Sequence, residues 1–276
     1  MPDDAAPIKR LFAELDYPVA EGRRIDILMA AVDALEPLYA LLLDGGGTHS
    51  AKGERGFAMF HLAARSLSDL VASAHLASHG YLQQAYTTMR PVLENGDLME
   101  LFAREPDEAA LWVNDPKPGK TYSPRNVRAK VEAGEDALAE YGHLSEMGSH
   151  PRFRGARLTG LMRVPKDDPT DRTAVLRIGP FYPEHPATIH VYLWQFQLTI
   201  RLGFKFRHLR QVSDRITREQ WVARYLETAK AAARGLDAVR AALVEMGEPD
   251  DEETRALPRI FEPLISGLEA GGPKDS

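Results

Sequence analysis

Apolar residues recur every three to four positions along most of this 276-residue chain, the spacing that places them on one side of an α-helix. The pattern predicts long helices over 23–43, 57–79, 81–102, 124–147, 187–212 and 217–246, and short ones over 8–15, 106–112 and 261–268. The segment 187–212 is apolar on nearly all sides, which is typical of a helix buried in the centre of a bundle. The chain is therefore expected to be mainly helical.

Local signals mark several of the helix ends. Gly80 separates two helices so closely that they are expected to form an antiparallel pair. Thr217 and Gln220 have the spacing of a capping box at the start of the last long helix. Pro91 lies inside a predicted helix, where it removes one amide donor and is expected to bend the helix beside Arg90.

The segments 156–164 and 173–178 are the exception, because they are short, apolar and β-branched, and the turn-forming segment 165–169 separates them. They predict a β-hairpin over 155–180 that lies against the helices. We therefore expect an all-α fold: a helical bundle with one inserted β-hairpin, forming a single domain over 1–276. Its core spans 22–246, and a C-terminal helix and tail occupy 247–276. Long amphipathic helices such as 217–246 favour a homodimer.

Composition narrows the possible environments and chemistries. The chain has no cysteine, which excludes disulfides, thiolate nucleophiles and thiolate metal sites. Its acidic N-terminus lacks the pattern of a signal peptide, and charged residues interrupt its most apolar stretch, so we expect a soluble, cytoplasmic protein without a membrane span.

Charge is distributed unevenly. The segment 152–218 holds 13 Lys and Arg against five Asp and Glu, whereas the whole chain carries a formal net charge of -6. A basic middle in an acidic protein indicates an anionic partner, such as RNA or a phosphate-bearing ligand. The alternative is a set of solvated Arg side chains paired with acidic helices elsewhere.

Five polar residues in otherwise apolar surroundings are the candidate catalytic site. Arg90 and Glu94 are four residues apart and can pair on one side of their helix, and Tyr141 and Ser145 have the same spacing on a later helix. His150 follows the end of that later helix, where the helix dipole favours its charged form. If the two helices are neighbours, these side chains meet inside the bundle. A buried polar network that only fixes helix packing is the alternative.

This arrangement resembles a bacterial family known only as a domain of unknown function, which is itself compared with the HEPN helical superfamily. The resemblance covers roughly 57–206 and depends on Arg90, Glu94, Tyr141, Ser145 and His150. It implies a helical domain that many relatives use as a metal-independent endoribonuclease, often in toxin or phage-defence systems. In that superfamily an Arg and a His separated by four to six intervening residues act together on RNA.

The chain departs from that superfamily pattern. Arg55 with His61 and Arg201 with His208 have the permitted spacing, but chance alone gives about two such pairs in this composition. The resemblance therefore favours Arg90, Glu94, Tyr141 and His150 as the catalytic centre. Phosphate or RNA binding is assigned to a basic set: Arg152, Arg154, Arg157, Arg201 and His208. A non-catalytic ligand-binding or protein-interaction module is the alternative function.

A metal site is the least favoured hypothesis. Glu140 and His143 have the Glu-x-x-His spacing of di-iron bundles, but the sequence contains no second copy of that motif. His75 and His79 are four residues apart and, with His61, could contribute to a mononuclear site with His143. No cofactor is predicted.

Overall fold

In the computed structural model, the described part of the chain comprises residues 23–46, 52–131, 135–148, 161–162, 174–175 and 186–247. This part is predominantly helical. Its α-helices are α1 (Arg23–Asp44), α2 (Gly53–Ser78), α3 (Leu82–Arg104), α4 (Pro106–Asn114), α5 (Pro118–Thr121), α6 (Pro124–Lys130), α7 (Glu135–Gly148), α8 (Pro186–Lys205) and α9 (Arg218–Glu245). A 3₁₀ helix, Phe206–Gln211, continues directly from α8.

Helices α2 and α3 form the predicted antiparallel pair. The amide of Tyr81 donates to the carbonyl of Leu76 at 2.8 Å and the amide of Gly80 to that of Ala77 at 3.0 Å, which together make a Schellman ending for α2. Gly80 has a φ of 77°, which a glycine adopts without steric cost. Helix α3 then runs without interruption through Pro91.

Helix α8 lies in the centre of the bundle, as its apolar sequence predicts. It contacts α1, α2, α3 and α9, and between Thr188 and Lys205 only His190 and Arg201 are exposed. Buried polar groups on α8 reach the backbone of α2, since Gln195 donates to the carbonyl of Leu70 at 3.3 Å. The predicted helix over 187–212 therefore begins as an α-helix but tightens into a 3₁₀ helix after Lys205.

Helix α9 packs along α1 and closes the other side of the core. Its N-terminus carries the predicted capping box: the Thr217 hydroxyl accepts from the amide of Gln220 at 3.2 Å, and the Gln220 side chain accepts from the amide of Thr217 at 2.8 Å. Within α9, Gly235 lies against the ring of Phe196, so close that a Cβ atom at Gly235 would stand 2.1 Å from it.

One predicted helix is divided in the structure, and several predicted elements lie partly or wholly outside the described residues. The helix predicted over 124–147 is described as two helices, α6 and α7, and residues 132–134 lie outside the described part. Two strands of two residues each, Leu161–Met162 and Ala174–Val175, pair antiparallel. The rest of the hairpin predicted over 155–180 and the short helices over 8–15 and 261–268 lie outside the described residues. None of the described helices is both long and apolar enough to cross a membrane.

Candidate functional site

The structure brings three of the five candidate catalytic residues together. Arg90 and Glu94 pair on α3, with 3.0 Å between the arginine Nε and a glutamate Oε. A second guanidinium nitrogen of Arg90 donates to the hydroxyl of Tyr141 on α7. Both charged side chains are slightly more than a quarter exposed, so the pair is at the edge of the core.

The contact between α3 and α7 depends on close backbone approach at the end of α7. A Cβ atom at Gly148 would stand 2.7 Å from the amide nitrogen of Thr87, so only glycine fits there. The Thr87 hydroxyl also donates to the carbonyl of Gly148 at 2.9 Å. This contact places α7, and with it Tyr141, against the middle of α3.

Two residues that the sequence analysis did not select complete this cluster. Arg128 on α6 has its guanidinium carbon 4.2 Å from the centre of the Tyr141 ring, and Arg90 has its own at 4.8 Å. Arg128 is only 4 % exposed and its Nε donates to the carboxylate of Asp97 at 2.9 Å. Burial raises the pKa of Asp97, and the hydrogen bond and charge of Arg128 oppose that rise. Tyr141 therefore joins two arginines, each with its own carboxylate.

The remaining candidate residues do not join the cluster in the described part of the chain. Ser145 is buried on α7, and its hydroxyl has no hydrogen-bond partner among the described residues. His150 and the basic residues Arg152, Arg154 and Arg157 lie outside the described residues. The catalytic role of His150 therefore remains a prediction.

A second cluster surrounds Glu100, near the C-terminus of α3. One carboxylate oxygen accepts from Lys205 Nζ at 2.8 Å, His208 Nε2 at 2.9 Å and Arg207 Nη2 at 3.3 Å. The other oxygen accepts from Arg104 Nε at 3.1 Å. The hydrogen bond from His208 is the largest contribution that lowers the pKa of Glu100, followed by that from Lys205, whereas burial acts in the opposite direction. Glu100 is therefore ionised and connects α3 to the end of α8.

His208 occupies a structural position in this cluster. The pKa of His208 is lowered: burial has the largest influence and outweighs the hydrogen bond with Glu100, which raises the pKa, and the nearby charge of Arg207 acts in the same direction as burial. Its Nδ1 atom is buried and has no partner in the described part of the chain, which fits a neutral imidazole whose proton is on Nε2 and points to Glu100. In this position the imidazole is bonded to a carboxylate inside the core rather than presented to an RNA backbone.

A cavity of about 500 Å³ connects the two clusters. Among the described residues, five cationic side chains and two carboxylates line it, an excess of three positive charges: Arg104, Arg128, Arg201, Lys205 and Arg207 against Asp97 and Glu100. The rest of the wall is Gly96, Tyr225 and an apolar set: Val92, Leu93, Val131, Leu198, Ile200, Leu202 and Phe204. Arg201 is the one predicted phosphate-binding residue that the described structure places in this wall.

Comparison with known proteins adds no family to this description. No family model, curated protein or solved structure matches the chain.

The histidines considered as metal ligands have other neighbours. His143 stacks on Trp194 with 4.9 Å between ring centres and lies edge-on to Tyr86, and His75 packs against His79 at 4.4 Å. Across the described ranges, no three His, Asp or Glu side chains are grouped closely enough to hold a metal ion. Nothing in this part of the structure supports a metal site.

Sequence spacing contained one signal for the missed residues. Glu100 and Arg104 have the same four-residue spacing on α3 as Arg90 and Glu94. Lys205 is the last residue of α8 and Arg207 follows it, and of the residues in the Glu100 cluster only His208 had been selected from the sequence. No local pattern indicated that Tyr225 lines the cavity, because Tyr225 belongs to the buried side of α9, whose other residues pack in the core. The arrangement as a whole can bind an anion: it offers several fixed cations at the edge of an apolar space of ligand size.

Proposed function

We propose that this protein is a binding module for a small anionic ligand, which occupies the cavity between α3, α6, α8 and α9. The excess of cationic side chains in the cavity wall carries this proposal. A volume of about 500 Å³ falls in the range of small-molecule sites. In this proposal, Arg90, Glu94 and Tyr141 hold α7 against α3 and shape the site rather than react.

Blocking the cavity should abolish binding. Gly96 lines the cavity, and a Cβ atom there would meet only Lys205 Cγ, at 3.8 Å, so Gly96→Leu should fill space without a backbone clash. We expect calorimetry to show that the wild type binds AMP or octanoate and discriminates against the neutral counterparts adenosine and octanol. The Gly96→Leu variant should lose this binding.

The matched control for this variant is Gly142→Leu. Gly142 is exposed on α7 and a Cβ atom there would meet nothing within 4 Å, so binding should not change. The proposal is wrong if neither anion binds the wild type, or if both leucine variants bind as it does.

A second candidate function is metal-independent RNA cleavage by a HEPN-like bundle with an inserted hairpin. The convergence of Arg90, Glu94 and Tyr141 favours it, because a cation and a carboxylate close to a phenol are suitable groups for phosphate and proton chemistry. In this version His150 completes the site and Arg152, Arg154 and Arg157 bind the RNA backbone.

RNA cleavage is tested with a chelator and one substitution. If the candidate is correct, the purified protein cuts single-stranded RNA in EDTA, and His150→Ala lowers the rate by at least about 100-fold, as loss of a general acid or base does. The control is His190→Ala, since His190 is an exposed histidine on α8. Absence of cleavage by the wild type under all ionic conditions would remove this candidate.

The homodimer is also a proposal, and sedimentation equilibrium tests it.

A further inference from the structure

Two residues that line the cavity carry a hydrogen-bond donor that has no acceptor among the described residues. Tyr225 is 1 % exposed, and its hydroxyl has no partner among the described residues. The Nη1 atom of Arg207 is also buried and has no hydrogen-bond partner among the described residues, whereas Nη2 of the same guanidinium donates to Glu100. Both residues line the cavity, and they are close enough to interact electrostatically. A buried donor without an acceptor costs free energy, and a bound ligand would supply the acceptor.

Both groups are held in place as donors. Burial raises the pKa of Tyr225, so its hydroxyl keeps the proton that it would donate. The Tyr225 ring stacks on Trp221 with 5.6 Å between ring centres. The guanidinium carbon of Arg207 lies 3.8 Å from the centre of the Phe204 ring. Two fixed donors on residues that line the same cavity form a prepared site for an oxygen that carries negative charge.

The carboxylates of the cavity are not available as that acceptor. Glu100 already receives hydrogen bonds from Arg104, Lys205, Arg207 and His208. Asp97 receives one from the buried Arg128 and is a partner of neither the Tyr225 hydroxyl nor Arg207 Nη1. The acceptor must therefore come from outside the described residues.

The rest of the wall identifies the body of the ligand. No Ser, Thr, Asn, Gln or His is among the described residues that line the cavity, and Tyr225 contributes its only uncharged hydrogen-bonding side chain. The hydroxyl groups of a sugar or the ring nitrogens of a base would lose their water and find only charged side chains and Tyr225 as described partners, which costs free energy. Seven apolar side chains instead form a surface for a hydrocarbon body.

We infer that the ligand is an amphiphilic acid, whose carboxylate or phosphate monoester group accepts from the Tyr225 hydroxyl and Arg207 Nη1 and whose apolar body lies along α3 and α8. This inference rests on the proposed binding function and narrows it to one chemical class. It assigns Tyr225 and Arg207 as the residues that recognise the acidic group. The inference also explains why the Tyr225 hydroxyl and Arg207 Nη1 are buried without an acceptor among the described residues.

The inference is tested with eight-carbon probes on the full chain. Octanoate and monooctyl phosphate should bind the wild type, and octanol and inorganic phosphate should bind at least about tenfold more weakly, because each lacks one half of the ligand. The tighter of the two anions identifies the acidic group. Tyr225→Phe should lower the affinity for the tighter-binding anion at least about tenfold, as expected for loss of a hydrogen bond to a charged group. Its melting temperature without ligand should be unchanged or higher, since the substitution removes an unsatisfied group.

Tyr192→Phe is the matched control. The Tyr192 hydroxyl is buried as well, but it donates to the carbonyl of Ala74 at 3.3 Å and does not line the cavity. Its loss should lower the melting temperature and leave octanoate and octyl phosphate binding unchanged. Arg207→Lys gives an independent measurement, because it keeps the charge but removes the second donor; it should also weaken binding.

Three results would overturn the inference. If Tyr225→Phe and Arg207→Lys both bind the octyl anions as the wild type does, the two donors do not form the site. If AMP binds and neither octyl anion does, the ligand class is wrong but the proposed anion-binding function survives. If AMP and both octyl anions fail to bind, the proposed function fails as well.

Discussion

Replacement of Gly235 by alanine is expected to destabilise the protein by about 3 kcal/mol, the upper part of the usual cost of overpacking a core. The reason is the crossing of α8 and α9, where a Cβ atom at Gly235 would stand 2.1 Å, 2.4 Å and 2.6 Å from three atoms of the Phe196 ring. Phe196 is fully buried in the middle of the bundle, so its ring cannot move into solvent. Urea denaturation followed by circular dichroism measures the change.

The sign of this effect is informative because glycine to alanine inside a helix normally stabilises by up to about 1 kcal/mol. Gly142→Ala on α7 provides that normal case, since the position is exposed and a Cβ atom there meets nothing within 4 Å. Adding Phe196→Leu to Gly235→Ala should recover part of the lost stability, because the smaller side chain relieves the contact. Equal or greater stability of Gly235→Ala than of the wild type would show that the two helices do not cross this closely.

The helices were predictable because the residues that specify each helix lie within it or at its ends. The apolar spacing of α2 and α3, Gly80 between them and the capping residues Thr217 and Gln220 are local signals, and the structure contains all of these features. The burial of α8 followed from a sequence without a polar face. Such signals depend on residues a few positions apart, so tertiary packing has little opportunity to override them.

The polar clusters were only partly predictable, because they depend on how the helices rotate about their axes. The four-residue spacing of Arg90 and Glu94 was visible in the sequence, and their meeting with Tyr141 was expected. The insertion of Arg128 beside Tyr141 depends on α6 being separate from α7, which the continuous apolar pattern did not indicate. The cavity requires side chains from α3, α6, α8, the 3₁₀ helix and α9 at once, and no local pattern specifies such a combination.

Replacement of Glu100 by glutamine is expected to cost about 3 kcal/mol, at the lower end of the cost of removing one partner from a buried ion pair. The Glu100 side chain is 10 % exposed and accepts hydrogen bonds from three residues at the end of α8 and from Arg104. Glutamine keeps the shape but removes the charge, which leaves Arg104, Lys205 and Arg207 close together without a counterion. Thermal and urea denaturation at pH 7 measure the loss.

An exposed ion pair provides the control for this substitution. Glu227 pairs with Arg224 on α9 at 3.3 Å, but its side chain is 56 % exposed. Glu227→Gln should change the free energy of unfolding by less than about 0.5 kcal/mol, as is usual for solvated pairs. A similar small effect for Glu100→Gln would show that the Glu100 cluster contributes little to folding.

The pH dependence separates the charge of Glu100 from its shape. The pKa of Glu100 is lower in the folded protein than in the unfolded chain, where a glutamate titrates near about 4.3. The unfolded state therefore takes up a proton first as the pH falls, so the stabilisation is fully present above this value and is lost towards the lower folded-state pKa. The stability difference between wild type and Glu100→Gln should be large at pH 7 and shrink progressively below about pH 4. A difference that stays constant down to pH 3 would assign the effect to lost packing, because protonation of the carboxylate would then have no consequence.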